Sequence, residues 1–340
     1  MNRDDSSQSP LAGLRARFLR TGREAAAALF QRVPEAPRNA ILARVAALMP
    51  SPYHAGELEV QRRAGVGTQA ARSGLGVGRE LPRCAAELLA RQPLLLVAAL
   101  DERGRLWVTQ LEGEPGFLAV EDPFTLRVAA LPDPRDPLAA AIGDSSGPVE
   151  AGLLAIDFST RERLRITGEV ETTARGLTVR VRDALENCPR YVRSRDLRYA
   201  AKAQDPAAAI EADALEGELA ERVRRADMVF VGSVHPERGC DVSHKGGGAG
   251  FLRVDGPRAL TLPDYNGNGM FQTLGNVHVD PRIAILVPGL EDGGMLHVSG
   301  RASIDWDEAA LRDFPRAERL VRIEVDAVRF CPAASTLRSG

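Results

Sequence analysis

Two short stretches carry the side chains best suited to chemistry: Ser243-His244-Lys245-Gly246-Gly247-Gly248-Ala249-Gly250-Phe251 and Pro263-Asp264-Tyr265-Asn266-Gly267-Asn268-Gly269-Met270-Phe271. Lys245 offers a mobile cation for a phosphate, and the glycines beside it let backbone amides approach an anion unobstructed. The turn from Asp264 to Asn268 supplies amides and carboxamides that can meet a phosphate or the edge of a ring. Met270, Phe271, Leu274 and Val277 follow at helical spacing, which predicts that this turn sits at a helix N-terminus, where an anion is favoured. Each stretch alone reads better as a plain turn between strands, since Asn-Gly is a common turn dipeptide. Together they suit a phosphate-bearing planar ligand.

The remaining candidates belong more naturally to the scaffold. His235 falls in a hairpin turn, and His278 and His297 fall on helix and strand positions that suit a solvated or core histidine. No two histidines have the H-x-x-x-H spacing of a metal site, and none is assigned. Ser243 and His244 are strand neighbours that point to opposite faces, so they do not make the hydroxyl–imidazole pair of a nucleophilic triad. His54 and Glu57 are spaced to cap a helix or pair locally, with lining of a ligand pocket as the alternative. Trp107 and Trp306 read as core or rim residues.

Composition narrows the class. A chain of 340 residues is long enough for two domains, each with its own core. A formal net charge of -2 lacks the basic stripe of a nucleic-acid binder, which leaves small molecules as the expected ligands. Cys84, Cys188, Cys240 and Cys331 lie far apart without a C-x-x-C pair, so neither a zinc ribbon nor a disulfide framework is indicated and a reduced, cytoplasmic setting is expected. No apolar run reaches the roughly 18 residues of a membrane span, and the N-terminus lacks a signal-peptide core. Residues 11–31, although rich in Arg and Ala, read as a surface helix rather than a transit peptide.

Strands must position the two stretches. Residues 11–49 read as two helices broken at Val33-Pro34-Glu35-Ala36-Pro37, followed by a short helical segment from 51 and a loop over 65–78. A helix over 80–91 follows, with Leu81, Cys84, Leu88 and Leu89 as its apolar stripe. From Pro93 the period changes, and residues 94–100 and 106–109 make a hairpin about Asp101-Glu102-Arg103-Gly104, with strands at 116–120, 125–130, 153–158 and 164–172. A helical segment over 207–225 precedes a second strand-rich half, 228–328. Short strands at near-regular spacing indicate an antiparallel barrel or sandwich.

The second half repeats the first. Leu95-Leu96-Val97 and Trp107-Val108-Thr109 parallel Val229-Phe230-Val231 and Asp241-Val242-Ser243; Leu131-Pro132-Asp133 answers Leu262-Pro263-Asp264; Ile166-Thr167-Gly168 answers Val298-Ser299-Gly300. Cys188 and Cys331 occupy matching places, which favours a packing role. The polar residues differ: Gln110-Leu111-Glu112-Gly113 stands where the second half has His244-Lys245-Gly246-Gly247, and Pro134-Arg135-Asp136-Pro137 where it has Tyr265-Asn266-Gly267-Asn268. One working site and one altered copy is the pattern this predicts.

Asp241-Val242-Ser243-His244-Lys245-Gly246-Gly247, Gly250-Phe251, Leu262 to Asn268, Phe271-Gln272-Thr273-Leu274-Gly275-Asn276 and Asp280-Pro281-Arg282-Ile283 resemble the pyridoxamine 5′-phosphate oxidase-like proteins, which are flavin-binding split barrels. The likeness covers about residues 214–332. The first half resembles a more diverged relative through Trp107-Val108-Thr109, Gly113, Gly116-Phe117 and Asn187-Cys188-Pro189-Arg190-Tyr191. This resemblance implies a mainly β fold with flanking helices (α+β), with two tandem split β-barrel domains at 91–200 and 214–340 forming a pseudo-dimer. The linker is 201–213, and residues 1–90 form a helical N-terminal segment and loop.

The resemblance also implies FMN at a seam between the barrels. Ser243, His244, Lys245 and Gly246 would lie on the flavin-facing strand, and Pro263, Asp264, Tyr265, Asn266, Gly267 and Asn268, with Phe271, around the ring and phosphate. The chain ends soon after Cys331 without the true oxidase's C-terminal substrate-binding segment, so vitamin B6 oxidation is not expected. The expected activity is a two-electron redox reaction on a small-molecule substrate with an electron donor or acceptor. No nucleic-acid or membrane partner is expected, and homodimerisation stays open. Two alternatives remain: a haem-binding split barrel, given five histidines, and a non-catalytic flavin carrier or sensor, given no clear acid–base pair.

Overall fold

In the computed structural model, which describes residues 50–145, 147–187 and 190–339, strand β1 (Leu94–Leu100) is apolar throughout and buried at all but its last position. Leu95, Val97 and Ala99 turn into one core with Trp107, Leu111 and Leu153, whereas Leu94, Leu96 and Ala98 turn into another with Phe230, Val242 and Leu286. Strand β10 (Met228–His235) does the same from the opposite side: Val229 and Val231 enter a core with Leu262, Leu274 and Ile285, and Met228, Phe230 and Val234 join the shared one. A period of two with both faces apolar is what a strand sandwiched between two cores requires. Phe230, Leu94 and Leu96, each 0–1% exposed, stabilise the seam by about 1.5–3 kcal/mol apiece.

Strands β2 (Leu106–Glu112), β3 (Leu118–Asp122), β4 (Thr125–Val128), β5 (Val149–Ile156), β6 (Arg163–Thr173) and β7 (Gly176–Asn187) join β1 in an antiparallel sheet of order β2-β1-β5-β6-β7-β4-β3. After β8 (Leu197–Tyr199) and β9 (Ile210–Ala212), a second sheet forms from β10, β11 (Gly239–Gly246), β12 (Arg253–Gly256), β13 (Ala259–Tyr265), β14 (Arg282–Pro288), β15 (Met295–Asp305) and β16 (Ala317–Cys331). Its order is β11-β10-β14-β15-β16-β13-β12, the same path, with β9 added to β16. A bulge at Thr167/Gly168 between β6 and β7 recurs at Ser299/Gly300 between β15 and β16. Strand β17 (Leu337–Ser339) pairs with β8. The sheets meet closely at Gly152, where a Cβ would lie 2.5 Å from the Cys240 carbonyl oxygen.

Among the described residues, five α-helices flank the sheets: α1 (Ala55–Ala64), α2 (Gly67–Gly74), α3 (Ala85–Ala90), α4 (Gly217–Arg225) and α5 (Gln272–Val279). His54 and Glu57 do cap α1: Gly56 N–H donates to His54 Nδ1 at 3.1 Å and His54 N–H donates to Glu57 Oε2 at 2.9 Å. Among the described residues, no helix is long and apolar enough to cross a membrane.

Three expectations are corrected. The segment 65–78 is not all loop, because α2 forms where Tyr53 Oη–H donates to the Ala70 carbonyl at 2.6 Å. The helix expected over 80–91 is only α3: Pro82 cannot sit in a helix interior, and Leu81 N–H is taken by the Pro123 carbonyl. Its stripe loses Cys84, which is exposed and donates to Glu186 at 2.7 Å. Only 217–225 of the segment 207–225 is helical, because β9 pairs with β16 ahead of it. The helices expected within 11–49, and Cys188, lie outside the described residues.

Candidate functional site

Strand β11 carries Ser243, His244 and Lys245 to the seam, beside the turn that follows β13 and the first turn of α5. Together with β6 they enclose a groove of about 920 Å³, measured with the part open to solvent. Ser243, His244, Lys245, Gly246, Pro263, Asp264, Tyr265, Gly267, Asn268 and Phe271 all line it. Asn266 does not, being held beside the groove by Arg190 Nη1, which donates to its Oδ1 at 3.1 Å, and by Glu318, which accepts from its Nδ2 at 2.9 Å.

Ser243 Oγ lies 3.0 Å from Thr273 Oγ1, tying β11 to α5. The His244 ring stands edge-on to Phe158 and Phe230, at 6.4 and 5.9 Å, and its Nδ1 is buried without a hydrogen-bond partner. Burial, then the charges of Arg163, Arg195 and Lys245, push its pKa down to about 3, so the imidazole is neutral at physiological pH. Lys245 Nζ is 3.3 Å from Asp264 Oδ1, and Arg319 Nη1 is 3.5 Å from Asp264 Oδ2. Arg319, only 3% exposed, stacks its guanidinium 4.6 Å from the centre of the Phe271 ring. Asp264 therefore divides its charge between two cations.

The turn differs in one respect from the sequence expectation. Asn266 uses its carboxamide on Arg190 and Glu318, and Asn268 Oδ1 accepts from Met270 N–H at 3.1 Å. The Asn266 carboxamide and the Asn268 Oδ1 thus help hold the turn in shape. Gln69 and Ser73 of α2 donate to the carbonyls of Gly267 and Asn268, both at 2.7 Å. Helix α5 starts at Gln272, after Phe271 in a left-handed conformation, so Met270 precedes it. The first turn of α5 faces the groove through Gln272, Thr273 and Leu274.

The opposite wall comes from the first sheet and its exit segment: Arg163, Arg165, Arg190 and Tyr191. Tyr191 lies 5.7 Å from Tyr265 with the rings 30° apart, and its hydroxyl donates to the Asn266 carbonyl at 2.6 Å. Sequence reasoning misses these four. Arg163 and Arg165 alternate about the buried Leu164, so period two puts both on one face, but nothing local says what that face meets.

Among the described residues, four cations line the groove, Arg163, Arg165, Arg190 and Lys245, against one carboxylate, Asp264, which Lys245 and Arg319 share; Arg165 also pairs with the buried Asp241 behind the wall. Such an excess suits a phosphate, and Tyr191, Tyr265 and Phe271 offer flat apolar surface to a ring. These residues fit a phosphate-bearing planar group. Among the described residues, no group of three His, Cys, Asp or Glu side chains could hold a metal ion.

No family model and no curated protein matches the chain. Solved structures similar to part of it include a putative pyridoxamine 5′-phosphate oxidase from Lactobacillus delbrueckii, 17% identical over 34% of this chain and 94% of that one, with a TM-score of 0.29. An F420 reductase is 16% identical over 32% of this chain and 93% of that one, with a TM-score of 0.25. HutZ, a haem storage protein from Vibrio cholerae, is 14% identical over 35% and 94%, with a TM-score of 0.27.

Proposed function

We propose that the groove binds FMN and that the chain is an FMN-dependent oxidoreductase acting on a small molecule. In this reading two split-barrel halves, 91–200 and 214–340, pack as a pseudo-dimer, with 1–90 before them and 201–213 between them. One observation carries it: four cations, a tyrosine pair and an unpartnered buried imidazole meet at a single opening between the sheets. Because both walls come from one chain, no second copy is needed to complete the site.

Arg163, Arg165, Arg190 and Lys245 would hold the phosphate, and Tyr191, Tyr265 and Phe271 would flank the ring against β11. FMN, when bound, supplies two-electron hydride chemistry. The chain's own part is to neutralise the phosphate, fix the ring against the strand and keep water from it. Purified protein should carry or take up FMN, seen as visible absorbance and a change in flavin fluorescence; protein that does neither sinks the reading. Steady NADH- or NADPH-dependent turnover with an acceptor separates an enzyme from a flavin carrier or sensor.

His244 favours a second reading, haem binding. A neutral imidazole with a free ring nitrogen has the protonation state of a metal ligand. A Soret band on haem addition, lost in His244→Ala, together with no uptake of FMN, would select haem.

A further inference from the structure

On the far side of Arg165 from the groove lies a second cavity, about 580 Å³ with its open part, walled by α1, the β10–β11 hairpin and α5. We propose that it binds a small organic cation of the guanidinium or amidinium type on the carboxylates of Glu57 and Asp241. The proposal goes beyond the flavin reading and stands whatever occupies the groove.

Asp241 is the first reason. It is 5% exposed, and neither carboxylate oxygen has a well-aligned hydrogen bond. Arg165 Nε lies 3.1 Å from Oδ1 and the Val242 amide is nearby, but both are poorly directed. A buried carboxylate is costly unless donors surround it, so unfilled acceptor positions facing a cavity call for a ligand's N–H groups.

The fold does not need a carboxylate there. Asp241 pairs across its hairpin with Ser233, as Trp107 pairs with Ala99 in the first sheet. Trp107 fills its place with an indole, 2% exposed, whose Nε1–H donates to Asp101 at 2.9 Å. A buried charge at the matching position of the second sheet is therefore a local choice.

The rest of the lining gives the sign of the ligand. Glu57 is 6% exposed and Asp183 adds a third carboxylate, against two cations among the described residues, Arg238 in the lining and Arg165 behind Asp241. His54 brings no charge, because its Nδ1 accepts from Gly56 N–H while its Nε2 meets Asn276 Oδ1 at 3.0 Å, which fixes the neutral Nε2–H tautomer. A planar cation with N–H groups along two edges can meet two carboxylates at once, as a compact ammonium cannot.

Protons report occupancy. Burial, with Asp241 adding to it, pushes the Glu57 carboxyl up to about 7, opposed by the His54 amide and by Arg165 and Arg238; the neutral His54 imidazole, its Nε2 3.4 Å from Glu57 Oε2, Tyr53 and, across the cavity, Asp183 are its other titratable neighbours. A bound cation favours ionised Glu57, so binding near neutrality should release a proton and tighten from about pH 6 to about pH 8. Titration calorimetry of the full chain with methylguanidinium chloride, against matched sodium chloride, should show saturable binding at one site with that proton release. Asp241→Asn should weaken it by about tenfold or more. Glu57→Gln, which preserves a capping side chain, should cut the proton release to what Asp241, itself raised by burial, still gives up. No saturable binding to the natural protein, or proton release unchanged in Glu57→Gln, overturns the proposal, and the second arm holds even if Asp241→Asn does not fold.

Discussion

The Asp136 carboxylate lies 3.7 Å from the Nε2 of His297, both buried, at the place in the seam that corresponds to the groove on the other side. His297 precedes the β15 bulge by the same count as Arg165 precedes the β6 bulge, and Thr109 on β2 matches Ser243 on β11. Asp136 accepts from the Thr109 hydroxyl and from Leu138 N–H, while Arg135 donates to the carbonyls of Ala207 and Pro332 at 2.9 and 2.8 Å. Where the second sheet has an open turn, the first has a plug.

A plugged counterpart predicts one FMN per chain. Fluorescence titration at protein concentrations well above Kd should give a stoichiometry of one, and two would show that the plug yields. Asp136→Ala should leave the Thr109 hydroxyl without its partner and His297 with the Val108 carbonyl alone, and destabilise the fold by about 2–4 kcal/mol, read from urea midpoints, without creating a second flavin site.

Lys245 and Asp264 should act in opposite directions on FMN. Removing Lys245 deletes one of four cations and leaves Asp264 to Arg319, so Lys245→Ala should weaken binding by about tenfold, or about 1.4 kcal/mol. Asp264→Asn releases Lys245 toward an anion and should tighten it. Unchanged affinity in Lys245→Ala would remove the residue from the site.

How much of this is legible in the chain depends on range. The hairpins, the internal likeness of the two halves of the sequence and the two stretches that bring ten residues to the groove follow from local pattern, because strand alternation and glycine turns are written over a few residues. Arg190 and Tyr191 are not, since the turn they clamp at Asn266 is about 75 residues away in sequence. Helix α2 is likewise set by distant partners: its sequence, Gly67-Thr68-Gln69-Ala70-Ala71-Arg72-Ser73-Gly74, is a weak helix former, stabilised through Tyr53, Gly267 and Asn268. The carboxamides of Asn266 and Asn268 are visible as ligand-like side chains, but only their neighbours reveal that they are already engaged.

Stability should fall with acid more steeply than surface charge explains. His244 and His54 are pushed from 6.5 to about 3 and about 4, chiefly by burial, so the unfolded chain binds two protons that the folded chain refuses just below pH 6.5. Glu57, raised from 4.5 to about 7, opposes them by binding one proton in the folded state alone. Over these three groups the difference of one proton between about pH 4.5 and 6.5 contributes a slope of about 1.4 kcal/mol per pH unit, with stability rising as pH rises; the lowered His235 adds to it and the buried, raised Asp136 and Asp241 oppose it. His244→Gln should flatten it, as urea midpoints across that range would show; an unchanged slope would mean that His244 titrates normally.

The crossing of α1 and α5 ties the cavity to the groove, and Gly275 is where that coupling can be tested. A Cβ at Gly275 would lie 2.4 Å from Glu57 Cγ and 2.7 Å from the Glu57 Cα and amide nitrogen, so the obstacle is backbone and no rotamer change relieves it. Gly56 repeats the contact from the other helix, where a Cβ would meet the Gly275 carbonyl oxygen at 2.4 Å. Gly275→Ala must therefore push the helices apart, at about 1–3 kcal/mol of stability. Because Gln272 and Thr273 in the same short helix line the groove, FMN affinity should fall along with the urea midpoint. His278→Ala, exposed on the same helix, should change stability by no more than about 0.5 kcal/mol and leave flavin binding as it was. A loss of stability in Gly275→Ala with FMN affinity intact would show that the crossing supports the fold alone and that α5 does not transmit its position to the groove.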